Sequence, residues 1–169
     1  MSKLGDLMRE LRAVALRGDP AECAEPMSGV TRQAPGLLRS EAVFSGLPLT
    51  IDEPVIFGGT GTAPNPAEVA LAALGASLEV TLRCHAEYLR IPIESISVAL
   101  DGALDARGFF GTDPSIRVGF GPVRAQIQVE SSATDAQLAE LFGHVDKCCP
   151  VLAVFRSPTE VNVRLERTP

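Results

Sequence analysis

One long helix constrains the fold of this chain more than any other feature of its sequence. Asn65 can cap a helix N-terminus, Pro66 fits the first helical position, and Glu68 lies three residues after the cap, as in a capping box. The pattern predicts a helix that continues to about Arg90. Its first half, residues 69–78, is apolar on nearly all sides, which is typical of a buried helix. The core must therefore be built around this helix.

Strands and a second helix flank the long helix. Residues 38–57 have the pattern of strands before it, and alternating apolar residues predict further strands over 93–104 and 125–130. A second helix begins at Thr134, and a strand over residues 161–165 closes the chain. The order of strands, long helix, strands, helix and strand predicts an α+β fold.

The N-terminal part differs from the rest. We divide the chain into residues 1–36, an amphipathic helix arm with a connection, and residues 37–169, the main domain. Apolar residues recur at helical spacing between Leu4 and Ala15, which predicts a helix that packs on the main body. Residues 21–36 are rich in Pro, Gly and Ser, as connections are.

Charge and composition argue against several classes of protein. The formal net charge is −6, and an acidic chain repels phosphate backbones, so we expect no nucleic-acid partner. Asp6 and Glu10 interrupt the first apolar segment, which argues against a signal peptide. No apolar run approaches the roughly 18 residues of a membrane span, so we expect no membrane partner. We therefore expect a cytoplasmic protein with reduced thiols.

Two ligand sites can be imagined from the residues alone, and neither is favoured. The glycine-rich loop over residues 58–62 precedes a helix but lacks the Lys of a P-loop and the G-x-G-x-x-G pattern, so a tight turn explains it better. His144 and Cys148 lie four residues apart and could join Cys84 and His85 at a metal. Cys84 and His85 are adjacent, however, and point to different sides of their helix. We expect neither a metal nor another cofactor.

Among the four cysteines, Cys149 is the best candidate for a reactive thiol. Pro150 is the natural first residue of a short helix over residues 151–156. Cys149 would then lie at a helix N-terminus, where free N–H groups and the helix dipole stabilise a thiolate. A buried cysteine is often only a small apolar side chain, so a structural role stays open.

Three stretches together resemble the OsmC/Ohr family, the osmotically inducible proteins C and organic hydroperoxide resistance proteins. They are Gly-Gly-Thr-Gly at 58–61 with Pro-Asn-Pro-Ala-Glu at 64–68, then Leu-Ala-Ala-Leu-Gly-Ala-Ser at 71–77, and Cys-Pro-Val at 149–151 after an amphipathic helix. The resemblance covers residues 39–166 and leaves the N-terminal arm outside.

This resemblance implies an OsmC-like intertwined homodimer and a two-cysteine peroxidase that reduces organic hydroperoxides. In the family, a cysteine on the central helix attacks the peroxide, a cysteine in the Cys-Pro-Val turn resolves the sulfenic acid as a disulfide, and an arginine and a glutamate tune the first thiol. Cys149 matches the resolving cysteine. Glu68 matches the glutamate, although capping explains it equally well. The attacking cysteine falls on Ser77, so this chain departs from the family pattern.

The departure leaves two hypotheses. A serine hydroxyl cannot form a sulfenic acid, and Cys84 lies about 10.5 Å further along the helix axis than Ser77. Arg32 and Arg39 lie in the right part of the chain for the tuning arginine. In the first, the protein is a thiol-dependent reductase of organic hydroperoxides that uses Cys149, with Cys84 or Cys148 as a possible second thiol and a dithiol as reductant. In the second, it is a non-catalytic homodimer that binds a small hydrophobic ligand.

Overall fold

The computed structural model describes residues 2–18 and 23–167, and these residues form a mixed α+β fold. The elements are, in chain order, helix α1 (Lys3–Arg17), strands β1 (Gly29–Gln33), β2 (Ser40–Phe44) and β3 (Leu47–Ile51), a 3₁₀ turn (Val55–Phe57), helix α2 (Pro66–Leu89), strand β4 (Ser95–Asp101), short helix α3 (Ala106–Phe109), strand β5 (Arg124–Glu130), and helices α4 (Asp135–Cys148) and α5 (Pro150–Arg156).

Helix α2 begins and ends as the sequence predicts. The Asn65 side chain accepts a hydrogen bond from the Glu68 N–H at 2.8 Å, and the Glu68 carboxylate accepts one from the Asn65 N–H at 2.8 Å. The two bonds form the predicted capping box with Pro66 in the first turn. At the other end, Arg90 adopts the left-handed conformation with φ 61°, which stops the helix before Pro92.

The core lies where one stripe of α2 meets α4 and the sheet of β4 and β5. Strands β4 and β5 pair antiparallel, and β4 packs against α2. The buried residues repeat every fourth position on α2 and on α4, as expected for two helices in face-to-face contact. On the helices they are Leu74, Leu78, Leu82, Ala86, Leu141 and Val145, and Ile91, Ile93 and Cys149 complete the core.

A second sheet contains β1, β2 and β3, and it corrects two predictions. Residues 21–36 are not only a connection, because β1 pairs antiparallel along its length with β2. Pairing with a distant strand outweighed the weak local signal. Residues 55–57 are a 3₁₀ turn and not a strand, since Pro54 precedes them and Gly58 ends them at φ 90°. Residues 19–22 lie outside the described part of the chain, and the domain division at residue 36 stays a prediction.

The predicted closing strand is wrong. Residues 161–165 belong to no strand and no helix. Val161, Val163 and Leu165 are 74%, 87% and 100% exposed. An alternating segment forms a strand only where a neighbouring strand offers hydrogen bonds, and within the described residues none pairs with it.

Burial of α2 on all sides is also wrong for the single chain. Ala72, Ala73 and Ala76 are exposed, and Val80 is 62% exposed, so no described residue covers one apolar face of the helix. By length and composition alone α2 could cross a membrane, as the core helix of a globular protein also can. It packs here against α1, β4, α4 and α5.

The N-terminal helix packs on the main body, as predicted. Ser2 caps α1 and also hydrogen-bonds the Glu87 carboxylate on α2. Gly5 is buried against α2, and the Arg12 guanidinium lies 4.8 Å from the centre of the Tyr88 ring. α1 is therefore attached to the C-terminal half of α2.

Candidate active site

Cys149 lies at the junction of two helices. Its N–H donates to the Val145 carbonyl at 3.0 Å and so completes α4, and its own carbonyl accepts from the Ala153 N–H at 3.1 Å in α5. Pro150 occupies the first turn of α5, as the sequence predicts. The side chain of Cys149 is 3% exposed and takes no part in capping the helix. A buried thiol is thus held at the N-terminus of a helix.

Ser77 is the polar partner of this thiol. The Ser77 Oγ lies 3.3 Å from the Cys149 Sγ, within hydrogen-bonding distance for sulfur, and either atom can donate. Ser77 is half-buried on α2, between the buried side chains of Leu74 and Leu78. Because α2 and the α4–α5 junction are both fixed by core packing, the oxygen–sulfur pair has a defined geometry.

An apolar cavity lies near the pair and is lined by its neighbours in the chain, not by Ser77 or Cys149 themselves. Its volume is about 680 Å³, which is within the range of small-molecule sites. Leu74 and Leu78 beside Ser77 line it, and so do side chains within one helical turn of Cys149. The other apolar lining residues come from α2, from the segment before β5 and β5 itself, and from α4 and α5: Ala70, Phe120, Val123, Ala125, Ile127, Phe142, Val145, Leu152, Val154 and Phe155.

Polar groups are confined to a few positions in this cavity. Arg156 on α5 binds the Asp146 carboxylate at 2.8 Å, and Arg117 comes from the loop before β5. The hydrogen bond to Asp146 raises the pKa of Arg156, and the charge of Cys149 contributes in the same direction. The same bond lowers the pKa of Asp146. The Phe120 ring lies 6.0 Å from the Phe155 ring and joins the loop to α5.

The glycine-rich loop before α2 is organised around Asp52. This carboxylate, which is fully buried, accepts backbone N–H bonds from Glu53, Thr60 and Thr62 at 2.9–3.2 Å and hydroxyl bonds from both threonines at 2.5 and 3.1 Å. The Thr60 hydroxyl and the Thr62 N–H, in this order, hold the pKa of Asp52 well below its usual range. The N–H groups of Thr60 and Thr62 are thus directed to an internal carboxylate, and those of the glycines at 58, 59 and 61 donate to backbone carbonyls.

Comparison with known proteins decides the family. A family model described as OsmC-like protein matches residues 59–164. The chain belongs to the OsmC family. No protein of curated function matches the sequence significantly.

Solved OsmC-like structures have the same fold. An OsmC-like protein from Mycoplasma pneumoniae matches with a TM-score of 0.67 and 17% identity, over 78% of this chain and 88% of that one. The organic hydroperoxide resistance protein OsmC from Legionella pneumophila matches with a TM-score of 0.60 and 20% identity, over 78% and 90% of the two chains. An organic hydroperoxide resistance protein from Elizabethkingia anophelis matches with a TM-score of 0.60 and 15% identity, over 79% of this chain and 89% of that one. At these identities the similarity establishes the fold alone.

The remaining residues that the OsmC resemblance pointed to lie apart from the oxygen–sulfur pair. Glu68 is engaged in the capping box, nine residues or about 13.5 Å along the helix axis from Ser77. Cys84 is half-buried, and all four cysteines are free. Arg39 binds Glu41 at 2.8 Å, and Arg32 is exposed on β1. The structure brings Ser77 and Cys149 together and leaves these residues in other contacts.

The residues considered for a metal site meet only in part. His85 and His144 stack with ring centroids 5.3 Å apart, which joins α2 to α4. Burial lowers the pKa of His85, and the charge of His144 adds to the effect. Within residues 2–18 and 23–167, no three His, Cys, Asp or Glu side chains form a group that could hold a metal ion.

Proposed function

We propose that this OsmC-family chain reduces organic hydroperoxides, with Cys149 as the reacting thiol and a dithiol as the reductant. One observation carries the proposal: the Ser77 hydroxyl lies 3.3 Å from the buried Cys149 sulfur, and side chains next to both residues line an apolar cavity. Two of the similar structures are organic hydroperoxide resistance proteins by name, which supports the choice of substrate.

The first step consumes one hydroperoxide. The Cys149 thiolate attacks the terminal oxygen, the O–O bond breaks, and the alkoxide leaves as an alcohol after taking up one proton. Cys149 becomes a sulfenic acid. Cys149 lies at the N-terminus of α5, and the Ser77 hydroxyl can donate a hydrogen bond to the sulfur. The apolar cavity wall suits the organic part of the substrate.

The second step needs thiols from outside the pair. Ser77 has no sulfur with which to resolve a sulfenic acid. A reductant thiol therefore attacks Cys149, which releases water and leaves a mixed disulfide, and the second thiol of the reductant displaces Cys149 and closes its own disulfide. Each cycle thus converts one hydroperoxide and one dithiol to one alcohol, one water molecule and one disulfide.

The second candidate is an OsmC-like protein that binds a small hydrophobic molecule without turnover. By the family resemblance, Ser77 stands where the attacking cysteine would be, and the cavity of about 680 Å³ is lined mainly by apolar side chains. Both features fit binding as well as chemistry.

Peroxide consumption distinguishes the candidates. The reduced protein is mixed with cumene hydroperoxide and dithiothreitol, and consumption is compared for the wild type, Cys149→Ala and Cys23→Ala. Cys23 is exposed and lies outside the matched family segment, so its removal controls for the loss of a thiol. We expect turnover in the wild type and Cys23→Ala only. Turnover that survives in Cys149→Ala contradicts the assignment of the thiol, and no turnover in the wild type favours the binding protein.

We also propose that the protein is a homodimer. Among the residues that the structure describes, none covers the face of α2 that carries Ala72, Ala73, Ala76 and Val80, and no strand pairs with the exposed alternating segment 161–165. A second copy could cover both. Light scattering after size exclusion should give twice the chain mass of 17.8 kDa, and a monomer at micromolar concentration would contradict the proposal.

The proposed chemistry requires a reducing compartment. All four cysteines are free, and the reaction needs a thiol reductant, so we propose that the protein works in the cytoplasm. Labelled protein in a periplasmic or secreted fraction would contradict this.

A further inference from the structure

Neither of the two cysteines considered as a second thiol is placed to form a disulfide with Cys149. Cys84 lies two turns of α2, about 10.5 Å along the helix axis, from Ser77, the residue that Cys149 contacts, and a disulfide needs Cα atoms within about 7 Å. Cys148 is adjacent, but Cα atoms joined by a trans peptide are about 3.8 Å apart, closer than the usual lower limit of about 4.4 Å. Cys148 is also exposed, whereas Cys149 is buried.

The backbone after Cys149 closes a second route by which a sulfenic acid can react within the chain. Besides forming a disulfide, a sulfenic acid can condense with a backbone N–H to give a cyclic sulfenamide and water. The nitrogen that completes such a ring belongs to the next residue. Here that residue is Pro150, and proline has no N–H. A sulfenic acid at Cys149 therefore cannot form a sulfenamide.

Burial limits the reagents that reach this sulfur from outside. Cys149 is 3% exposed, and its backbone is hydrogen-bonded in both α4 and α5. Thiol exchange depends on access to the attacked sulfur, so the thiols of other proteins should react slowly with it. Further oxidation to a sulfinic acid requires a second peroxide molecule to reach the same buried position. Both external routes are thus slowed.

The hydroxyl of Ser77 can satisfy the polar group that oxidation creates. Its Oγ lies 3.3 Å from the Cys149 Sγ, and within the described residues its side chain makes no other hydrogen bond. A sulfenic acid adds an oxygen that can accept a hydrogen bond and a proton that can be donated, and a serine hydroxyl can do both. An oxygen without a partner would be costly at a buried site. Ser77 removes that cost.

We propose that Cys149 is a site of lasting oxidation, at which a sulfenic acid persists until a small thiol removes it and Ser77 holds the sulfenyl oxygen. The inference rests on the first step of the proposed function. In that step an S–O bond forms, the O–O bond breaks, and the departing alkoxide takes up a proton, so that the sulfur is oxidised and the peroxide reduced. The protein then has two long-lived states, and the oxidised state outlasts the peroxide that produced it.

Delayed trapping tests the inference in the absence of any thiol. The reduced protein receives one equivalent of hydrogen peroxide, and catalase then removes what remains. Dimedone, which reacts with sulfenic acids, is added after increasing delays, and the products at Cys149 are identified by mass spectrometry. Ser77→Ala removes the hydroxyl, and Ser97→Ala is its control on the exposed side of β4.

Two proline variants test the route to the sulfenamide. Pro150→Ala restores a backbone N–H in the first turn of α5 with a residue that favours helices, and Pro158→Ala is its control beyond the end of that helix. Melting temperatures of the reduced variants show whether each one is folded. Pro150→Ala should convert its sulfenic acid to a product lighter by one water molecule, and Pro158→Ala should not. The absence of that product from a folded Pro150→Ala protein would overturn the role of Pro150.

In the wild type, the dimedone adduct at Cys149 should persist over delays at which Ser77→Ala has lost it. The loss should be about tenfold faster in Ser77→Ala, as the removal of one hydrogen bond to a charged or strongly polar group allows. Ser97→Ala should match the wild type. A wild-type Cys149 that becomes a disulfide or a sulfinic acid before dimedone is added would overturn the inference. Equal lifetimes in the wild type and Ser77→Ala would overturn the role of Ser77.

The outcome is distinguishable from that of the proposed function. Turnover under dithiothreitol, together with a sulfenic acid that disappears without any thiol, refutes the inference and leaves the reductase standing. A lasting sulfenic acid in a protein without turnover supports the inference and refutes the reductase. A Cys149 that neither hydrogen peroxide nor cumene hydroperoxide oxidises refutes both.

Discussion

Replacing Ser77 by cysteine should create a disulfide with Cys149. The Ser77 Oγ and the Cys149 Sγ are 3.3 Å apart, and a disulfide has a sulfur–sulfur distance of about 2.05 Å, so a small approach of the two side chains is enough. The substitution changes one heavy atom, so the fold should tolerate it. In Ser77→Cys, treatment with one equivalent of peroxide should therefore link residues 77 and 149.

The length of the closed loop sets the size of the effect. A bond between residues 77 and 149 closes a loop of about 73 residues, for which loop-closure entropy gives about 4 kcal/mol of stabilisation relative to the reduced variant. For a chain of this size the melting temperature should rise by roughly 8–16 °C. Dithiothreitol should reverse the gain.

The assay combines melting curves with mass spectrometry of the alkylated protein. Ser77→Cys with Cys149→Ala is the control, and it should show neither the bond nor the stabilisation. Peroxide consumption under dithiothreitol should also rise in Ser77→Cys and fall again in the double variant, because a thiolate at residue 77 can attack peroxide and be recycled through Cys149. An oxidised Ser77→Cys protein with two free thiols at residues 77 and 149 would refute the assigned geometry.

Three further predictions concern stability, measured by urea unfolding. Gly59→Ala should destabilise the fold by about 1–3 kcal/mol because a Cβ would collide with the backbone carbonyl of Glu53. Gly143→Ala should stabilise the fold by about 1 kcal/mol because the space around this helical glycine is open. Equal urea midpoints for both variants and the wild type would contradict both predictions. Leu141→Ala should cost about 2–5 kcal/mol because the side chain is 1% exposed, and a loss below 1 kcal/mol would refute its place in the core. Burial lowers the pKa of His85, so the imidazole binds a proton more readily in the unfolded chain than in the folded one. The free energy of unfolding should therefore fall as the pH drops below about 6.5. His85→Gln should weaken this pH dependence, and an unchanged dependence would refute the prediction.

Local signals predicted the helices well. The capping boxes at Asn65 and Thr134 and the start of α5 at Pro150 each depend on residues within four positions, and all three helices begin there. The oxygen–sulfur pair came from the family resemblance, since no local pattern relates Ser77 to Cys149, 72 residues later.

Features that depend on distant contacts escaped the sequence analysis. Strand β1 exists because β2 pairs with it, and the apolar alternation at residues 161–165 forms no strand without a partner. Arg117 and Phe120 line the cavity from a loop that has no apolar periodicity. The sequence could have suggested Asp52, because an acidic residue precedes a loop with several donors, but only the folded loop shows that its N–H groups converge on it.

The carboxylate of Asp52 acts as an anion that the chain supplies to itself. In many proteins, the N–H groups of a glycine-rich loop before a helix bind a phosphate or sulfate ion. Here a side chain attached at the end of β3 already fills that position, so the loop takes its form during folding and independently of any solute. The loop that leads into the first turn of α2 is consequently held together without an external ligand.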